Sequence, residues 1–181
     1  MRTLQIQHDH TNLLAAFRVP LHEAGEVDVW RTFADPAPES LAPYDAVVLM
    51  GGVAMPDEDD RYPWIPAEVQ LLREGLERGL PMLGVCFGGQ ILARAAGAAV
   101  GPSPSEQGWF DIGLLPEGEA DPLLGPLGKG YHAFEWHHYG FEMPPGAVPL
   151  ARNERASQAY RIGSAAWGLQ FHIEVDRPTV E

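Results

Sequence analysis

Cysteine is almost missing: Cys86 is the only one among 181 residues. An internal disulfide is therefore impossible, and a four-cysteine zinc site is excluded. Basic residues are also scarce, with 12 Lys and Arg against 25 Asp and Glu, for a formal net charge of -13. The few cations are scattered, so neither nucleic acid nor an anionic membrane would be drawn to the surface. No run approaches the ~20 apolar residues that span a bilayer. The first eight residues lack the sustained apolar core of a signal peptide. No repeat, low-complexity tract or linker breaks the chain. What is present is an ordinary globular composition, 45% hydrophobic and 20% charged, in a length that suits one domain with a buried core. A cytoplasmic protein is the simplest reading, with residues 1–181 expected to form a single domain.

The first half alternates short apolar runs with helical patterns. Thr3–Gln7, Glu26–Phe33, Asp45–Met50 and Leu80–Val85 read as strands. Helices are expected at about Leu13–Ala24, in a segment whose early turns contain Pro66 and Glu68, and at Phe87 to about Ala98. This alternation implies βαβ units and a parallel sheet covered on both faces. From Gly108 onward, short stretches (Trp109–Leu115, Tyr131–Trp136, Val148–Arg152, Gln158–Ile162, Trp167–Glu174) are separated by Gly- and Pro-rich turns. These read as a small antiparallel extension and the last strands of the sheet.

The chemistry is concentrated at Leu83-Gly84-Val85-Cys86-Phe87-Gly88-Gly89-Gln90. An apolar strand runs directly into a helix with the cysteine at the junction and glycines two residues before and after it. This is the cysteine counterpart of the G-x-S-x-G elbow. Such a turn crowds its flanks, and glycine avoids the clash. It lifts the sulfur above the carboxyl edge of the sheet. There a helix N-terminus favours the reactive thiolate. The backbone N–H of Phe87 would face a developing oxyanion, with a second donor from Gly51-Gly52 at the end of a neighbouring strand.

A base with its orienter follows in Trp167–Val175. His172 and Glu174 are two residues apart, so on an extended strand they share a face. The carboxylate can fix the imidazole tautomer and leave the other ring nitrogen facing a thiol. Of the remaining histidines, His8 and His10 are expected near a strand end, and His132, His137 and His138 around a pocket rim. No local pattern supplies three or four metal ligands, so no metal or cofactor is expected. Asp57–Asp60 reads as a solvated loop before a helix.

With these landmarks the chain resembles the class I, triad-type glutamine amidotransferases, in particular the free-standing GMP-synthase-like members. The resemblance rests on the Gly51-Gly52 turn, the Gly84-x-Cys86-x-Gly88-x-Gln90 elbow and Gln170-Phe171-His172-x-Glu174. Asp59–Trp64 and Trp136-His137 followed by Phe141–Gly146 add weaker support. It implies a flavodoxin-like α/β fold, a three-layer sandwich with a mostly parallel central sheet. It also implies that Cys86 attacks the side-chain amide of glutamine, giving a γ-glutamyl thioester and ammonia, with His172 as base and then acid. Gln90 matches a position that helps hold the substrate glutamine, and Gly52 and Phe87 match the oxyanion donors. A separate synthetase chain would take the ammonia.

Three departures stand out. Val53 and Ile173 replace prolines common in relatives, and Tyr139 replaces a common Asp. In addition, Asp176–Glu181 carries helix-start chemistry with no helix body after it, as in a truncated or a shortened member. Two other readings stay open: a γ-glutamyl hydrolase or peptidase with the same triad, and a non-catalytic redox-sensing module on the same fold.

Overall fold

A computed structural model describes residues 1–11 and 13–175; the helix-start pattern of Asp176–Glu181 lies outside them. Nine strands form one sheet. They are β1 (Arg2–Gln7), β2 (Glu26–Arg31), β3 (Ala46–Leu49), β4 (Met82–Val85), β5 (Val100–Leu114), β6 (Tyr131–Phe141), β7 (Val148–Arg152), β8 (Ser157–Ile162) and β9 (Ala166–Leu169). The helices are α1 (Arg18–Ala24), α2 (Trp64–Glu77), α3 (Phe87–Ala95) and the single turn α4 (Pro116–Glu119). The spatial order is β2-β1-β3-β4-β9-β8-β7-β5-β6.

The central strand β3 shows how both faces of the first half are covered. Successive side chains of a strand point to opposite faces. Val47 and Leu49 join a cluster with Ile65 and Leu72 of α2 and Ile91 and Leu92 of α3. Val48 and Met50 pack with Leu14 and, from α1 and the turn before it, Leu21 and Phe17. This is the expected three-layer arrangement. Pro66 is tolerated in α2 because it sits in the first turn, where amides have no intrahelical acceptor. α3 stops at Ala95, short of the expected Ala98, because Gly97 adopts φ +92° and the Ala98 N–H turns back to Ala93 O at 3.0 Å.

The sheet is not mostly parallel. β1–β2, β1–β3, β3–β4 and β4–β9 pair parallel. β5–β6, β5–β7, β7–β8 and β8–β9 pair antiparallel, and the longest ladder, β5–β6, is among these. The reason is connectivity. A parallel neighbour needs a crossover of a dozen or more residues, whereas tight turns join only antiparallel strands. Past α3 the described chain offers turns and the short α4 in place of long helices. The antiparallel part is thus half of the sheet and not a small extension, and β5 and β6 both run longer than their apolar patterns suggested.

One tyrosine links the two halves. Tyr160 on β8 is fully buried, and its hydroxyl donates to Gly89 O in the first turn of α3 at 2.7 Å. Its ring occupies the space that a side chain at Gly168 would need.

Candidate active site

β4 enters α3 through Cys86, which sits at φ +52°, ψ -113°. Only one other described non-glycine residue, Ala15, has a positive φ. Holding a side chain there costs about 1–3 kcal/mol, so the surroundings must enforce it. They do. Cys86 N–H donates to Leu169 O at 2.8 Å, and Gln90 N–H to Cys86 O at 3.0 Å. A side chain at Gly84 would collide with the Gly88 carbonyl, and one at Gly88 with the Leu49 carbonyl. The glycine spacing is therefore a steric requirement of the elbow.

The sulfur borders a cavity of about 580 Å³ whose wall includes Gly52, Val53, Phe134, Trp136, His172 and Glu174. A second cavity, about 190 Å³, lies on the other side of Cys86 and is lined by Gly52, Phe87, Gln90, His138 and Tyr139 among others. All six site residues read from the sequence, Cys86, His172, Glu174, Gly52, Phe87 and Gln90, thus border one or both cavities.

His172 and Glu174 do not lie on a strand. β9 ends at Leu169; Gln170 N–H still reaches Gln158 O at 2.8 Å, but His172 N–H reaches Phe134 O of β6 at 2.9 Å. The chain is drawn away from β8 toward the β5–β6 hairpin. The two side chains nevertheless meet, Nδ1 to Oε1 at 2.7 Å. Burial alone would lower the pKa of His172, but the Cys86 sulfur and then the Glu174 carboxylate outweigh it and push the value from 6.5 up to about 11. The structure thus brings a cysteine sulfur, an imidazole and a carboxylate together beside one cavity.

The sequence reading missed two parts of the site. Gln170 is buried, its Nε2 lies 3.9 Å from the Cys86 sulfur, and its Oε1 accepts from Gln90 Nε2 at 3.2 Å. Gln90 Nε2 also donates to Tyr139 O at 2.8 Å. His8, expected merely near a strand end, is wholly buried after β1. Its Nδ1 contacts Gly51 O at 3.2 Å and its Nε2 contacts Glu68 Oε1 at 3.0 Å. Burial opposes a charge on His8, but Glu68 and the Gly51 carbonyl raise its pKa overall. The Gly51 carbonyl and the Gly52 N–H share one planar trans peptide. Holding the oxygen therefore fixes the direction of the amide. The signal was a His just past one strand and a Glu on a helix 60 residues later, which no local pattern joins.

Other expectations need correction. His137 does border the smaller cavity, but its side chain is buried beside Glu106 and Glu135, and these three are a group among the described residues that could hold a metal ion. The Asp57–Asp60 loop precedes a helix as expected, yet it is anchored: Asp59 takes a two-pronged ion pair from Arg94 of α3 at 2.5 and 2.7 Å. Tyr139 donates to Asp57 at 3.3 Å.

A strained cysteine with a paired His and Glu suits acyl transfer, and comparison with known proteins places it. The model of "Glutamine amidotransferase class-I" matches residues 14–179. The chain belongs to this family. Among its relatives, a glutamine-hydrolysing GMP synthase subunit from Ignicoccus hospitalis is 30% identical over 159 residues, 86% of this chain and 79% of that one. A γ-glutamyl-L-1-hydroxyisopropylamide hydrolase from Pseudomonas is 32% identical over 155 residues, 78% of this chain and 52% of the hydrolase. The crystal structure of a glutamine amidotransferase from Thermotoga maritima superposes with a TM-score of 0.90 at 30% identity, covering 98% of this class-I chain and 78% of its own. Among the described residues no helix is long and apolar enough to cross a membrane.

Proposed function

We propose that residues 1–181 form one glutamine amidotransferase domain in which Cys86, His172 and Glu174 hydrolyse the side-chain amide of glutamine. The observation that carries this reading is the Cys86 sulfur at a strained elbow, electrostatically tied to a His172–Glu174 pair across a cavity. The sulfur adds to the amide carbon, and the oxyanion forms against the N–H groups of Phe87 and Gly52. His172 gives its proton to the leaving nitrogen, so ammonia departs and a γ-glutamyl thioester remains. Gln90 and the small cavity hold the glutamine.

The electrostatics supply the next step. The largest effect raising His172 is the sulfur's charge. Forming the thioester removes that charge, and burial then favours the neutral ring. His172 changes from acid to base without moving and can take a proton from the water that cleaves the thioester. Glutamate leaves, and the thiolate–imidazolium pair returns.

We further propose that the ammonia serves a separate synthetase subunit, which fits the similarity to a glutamine-hydrolysing GMP synthase subunit, and that the protein works in the cytoplasm. A second reading, a γ-glutamyl hydrolase with a larger amine leaving group, draws support from the 580 Å³ cavity with Phe134 and Trp136 on its wall and from the similarity to a γ-glutamylamide hydrolase. Steady-state kinetics with glutamine against γ-glutamyl alkylamides test the choice. A kcat/KM at least tenfold higher for the alkylamides overturns the amidotransferase reading. Stoichiometric labelling of Cys86 by a glutamine-like diazo-ketone, slowed by His172→Ala, tests the triad; labelling indifferent to His172 favours the redox-sensing module.

A further inference from the structure

Three buried side chains take no part in this chemistry. Glu106 on β5 is the register partner of His137 on β6, and Glu135 lies two residues before His137, so all three project from one face of the hairpin. That face is turned inward: the side chains of Glu106 and Glu135 are 0% exposed and that of His137 is 2% exposed. One ligand atom from each lies within 4.8 Å of the others.

Hydrogen bonds do not satisfy this group. Glu106 accepts from Asn153 Nδ2 at 2.6 Å and from Gln158 Nε2 at 2.9 Å. Neither oxygen of Glu135 has a hydrogen-bond partner among the described residues. His137 Nδ1 faces Tyr139 O at 3.0 Å, and a carbonyl can only accept, so Nδ1 carries the proton. In the neutral ring Nε2 is then a lone pair. It lies 3.2 Å from a carboxylate oxygen of Glu106 and 3.2 Å from one of Glu135, hydrogen-bonded to neither. Acceptors facing one another in a dry interior demand positive charge between them. Among the described residues no Lys or Arg pairs with either glutamate.

We propose that Glu106, Glu135 and His137 bind one divalent transition-metal ion of the zinc class, which braces the β5–β6 hairpin from inside. Two carboxylates and a neutral imidazole present the two negative charges that such an ion neutralises. The spacing fits: zinc bonds of about 2.0–2.1 Å at tetrahedral angles place ligand atoms about 3.3 Å apart. An imidazole in the set favours zinc or iron over magnesium or calcium. Two supporting contacts also match a metal site: the imidazole donates its other N–H to a carbonyl, and the Glu106 carboxylate is itself hydrogen-bonded.

The ion would bear on the active site through the backbone. The Tyr139 carbonyl held by His137 also receives Gln90, and the carbonyl of Trp136, between the two ligands on β6, lies 3.8 Å from the Cys86 sulfur. The rival occupants are two protons, one on His137 and one on Glu135.

The experiment uses the full chain carrying Cys86→Ala, so that the sulfur cannot take metal. Chelator-stripped protein is titrated with zinc chloride by calorimetry and its thermal unfolding is followed. One ion per chain is expected, with Tm rising by about 5–10 °C at zinc 100-fold above Kd. Adding Glu135→Gln, which keeps the shape and removes the charge, abolishes both effects. No zinc uptake, or uptake and Tm gain that survive Glu135→Gln, overturns the site; the first outcome assigns the charges to protons. Should Glu135→Gln fail to fold, X-ray absorption on the zinc-loaded parent decides: a single imidazole with oxygen ligands supports the site, and any other first coordination sphere overturns it.

Discussion

The two central parallel strands, β3 and β4, and the antiparallel half of the sheet bury different chemistry. β3 and β4 contribute only apolar residues and one glycine, Ala46–Leu49 and Met82–Val85, clamped between helices. Across β5, β6 and β8 the buried positions include Glu106, Glu135, His137 and Gln158. The parallel half thus provides a stiff frame that can hold Cys86 at an unfavourable φ. The antiparallel half provides polar walls whose shape depends on charge. The groups proposed to react meet where the halves join, with Cys86 after β4 and His172 after β9, two strands paired in register.

Substitutions can break this division of labour. The largest effect is expected from Cys86→Ala, which removes the nucleophile from the rigid half: ammonia release from glutamine falls at least ~10⁴-fold. Glu174→Gln acts at the seam. It keeps the shape but withdraws the charge that orients and holds the His172 proton, and kcat falls about 10³-fold with KM little changed. Next come paired glycine variants. Gly88→Ala forces a methyl into the Leu49 backbone and costs about 1–3 kcal/mol or more in chemical denaturation. Gly101→Ala on the hairpin meets nothing within 4 Å and stays within about 0.5 kcal/mol. Equal costs would erase the contrast in rigidity. His8→Gln, which loosens the Gly51–Gly52 peptide without touching substrate, lowers kcat about 10-fold, less than the 10²–10³ for losing an oxyanion donor outright.

A further prediction concerns pH dependence. The folded pKa of His172, about 11, exceeds its ordinary 6.5. A raised pKa means the folded state holds the proton more tightly. Its stabilisation is therefore complete below about pH 6.5 and is lost as pH climbs toward 11. Thermal unfolding of the wild type should weaken steadily over that alkaline window, and His172→Gln should flatten the decline. An unchanged slope would show that the sulfur and Glu174 do not hold the proton.

What was legible in the sequence follows from how far apart the cooperating residues lie. The elbow could be read because its strand, cysteine, glycines and helix are contiguous, and their spacing is dictated by clashes within the turn. His172 and Glu174 could be read as a pair because they are two residues apart, although the strand expected to carry them ends at Leu169. The extent of antiparallel pairing was underestimated because β5 and β6 carry glycines, prolines and buried charges that hide the alternating pattern. His8–Glu68 left no local mark at all, and Glu106 gave no sign that it joins the Glu135–His137 pair of β6. Each is assembled by pairing of distant segments, and a buried charged residue looks like an exposed one until its partner is known.

Tyr160 has a wider consequence. Its hydroxyl spans from β8 to Gly89, in the turn that positions the nucleophile, and its ring fits only because position 168 lacks a side chain. The hairpin side of the molecule therefore cannot drift during evolution, or be redesigned, as an independent module. Any change that tilts β8 is transmitted through one oxygen to the helix start beside Cys86, so substrate range and the alignment of the proposed nucleophile are expected to vary together across variants of this chain.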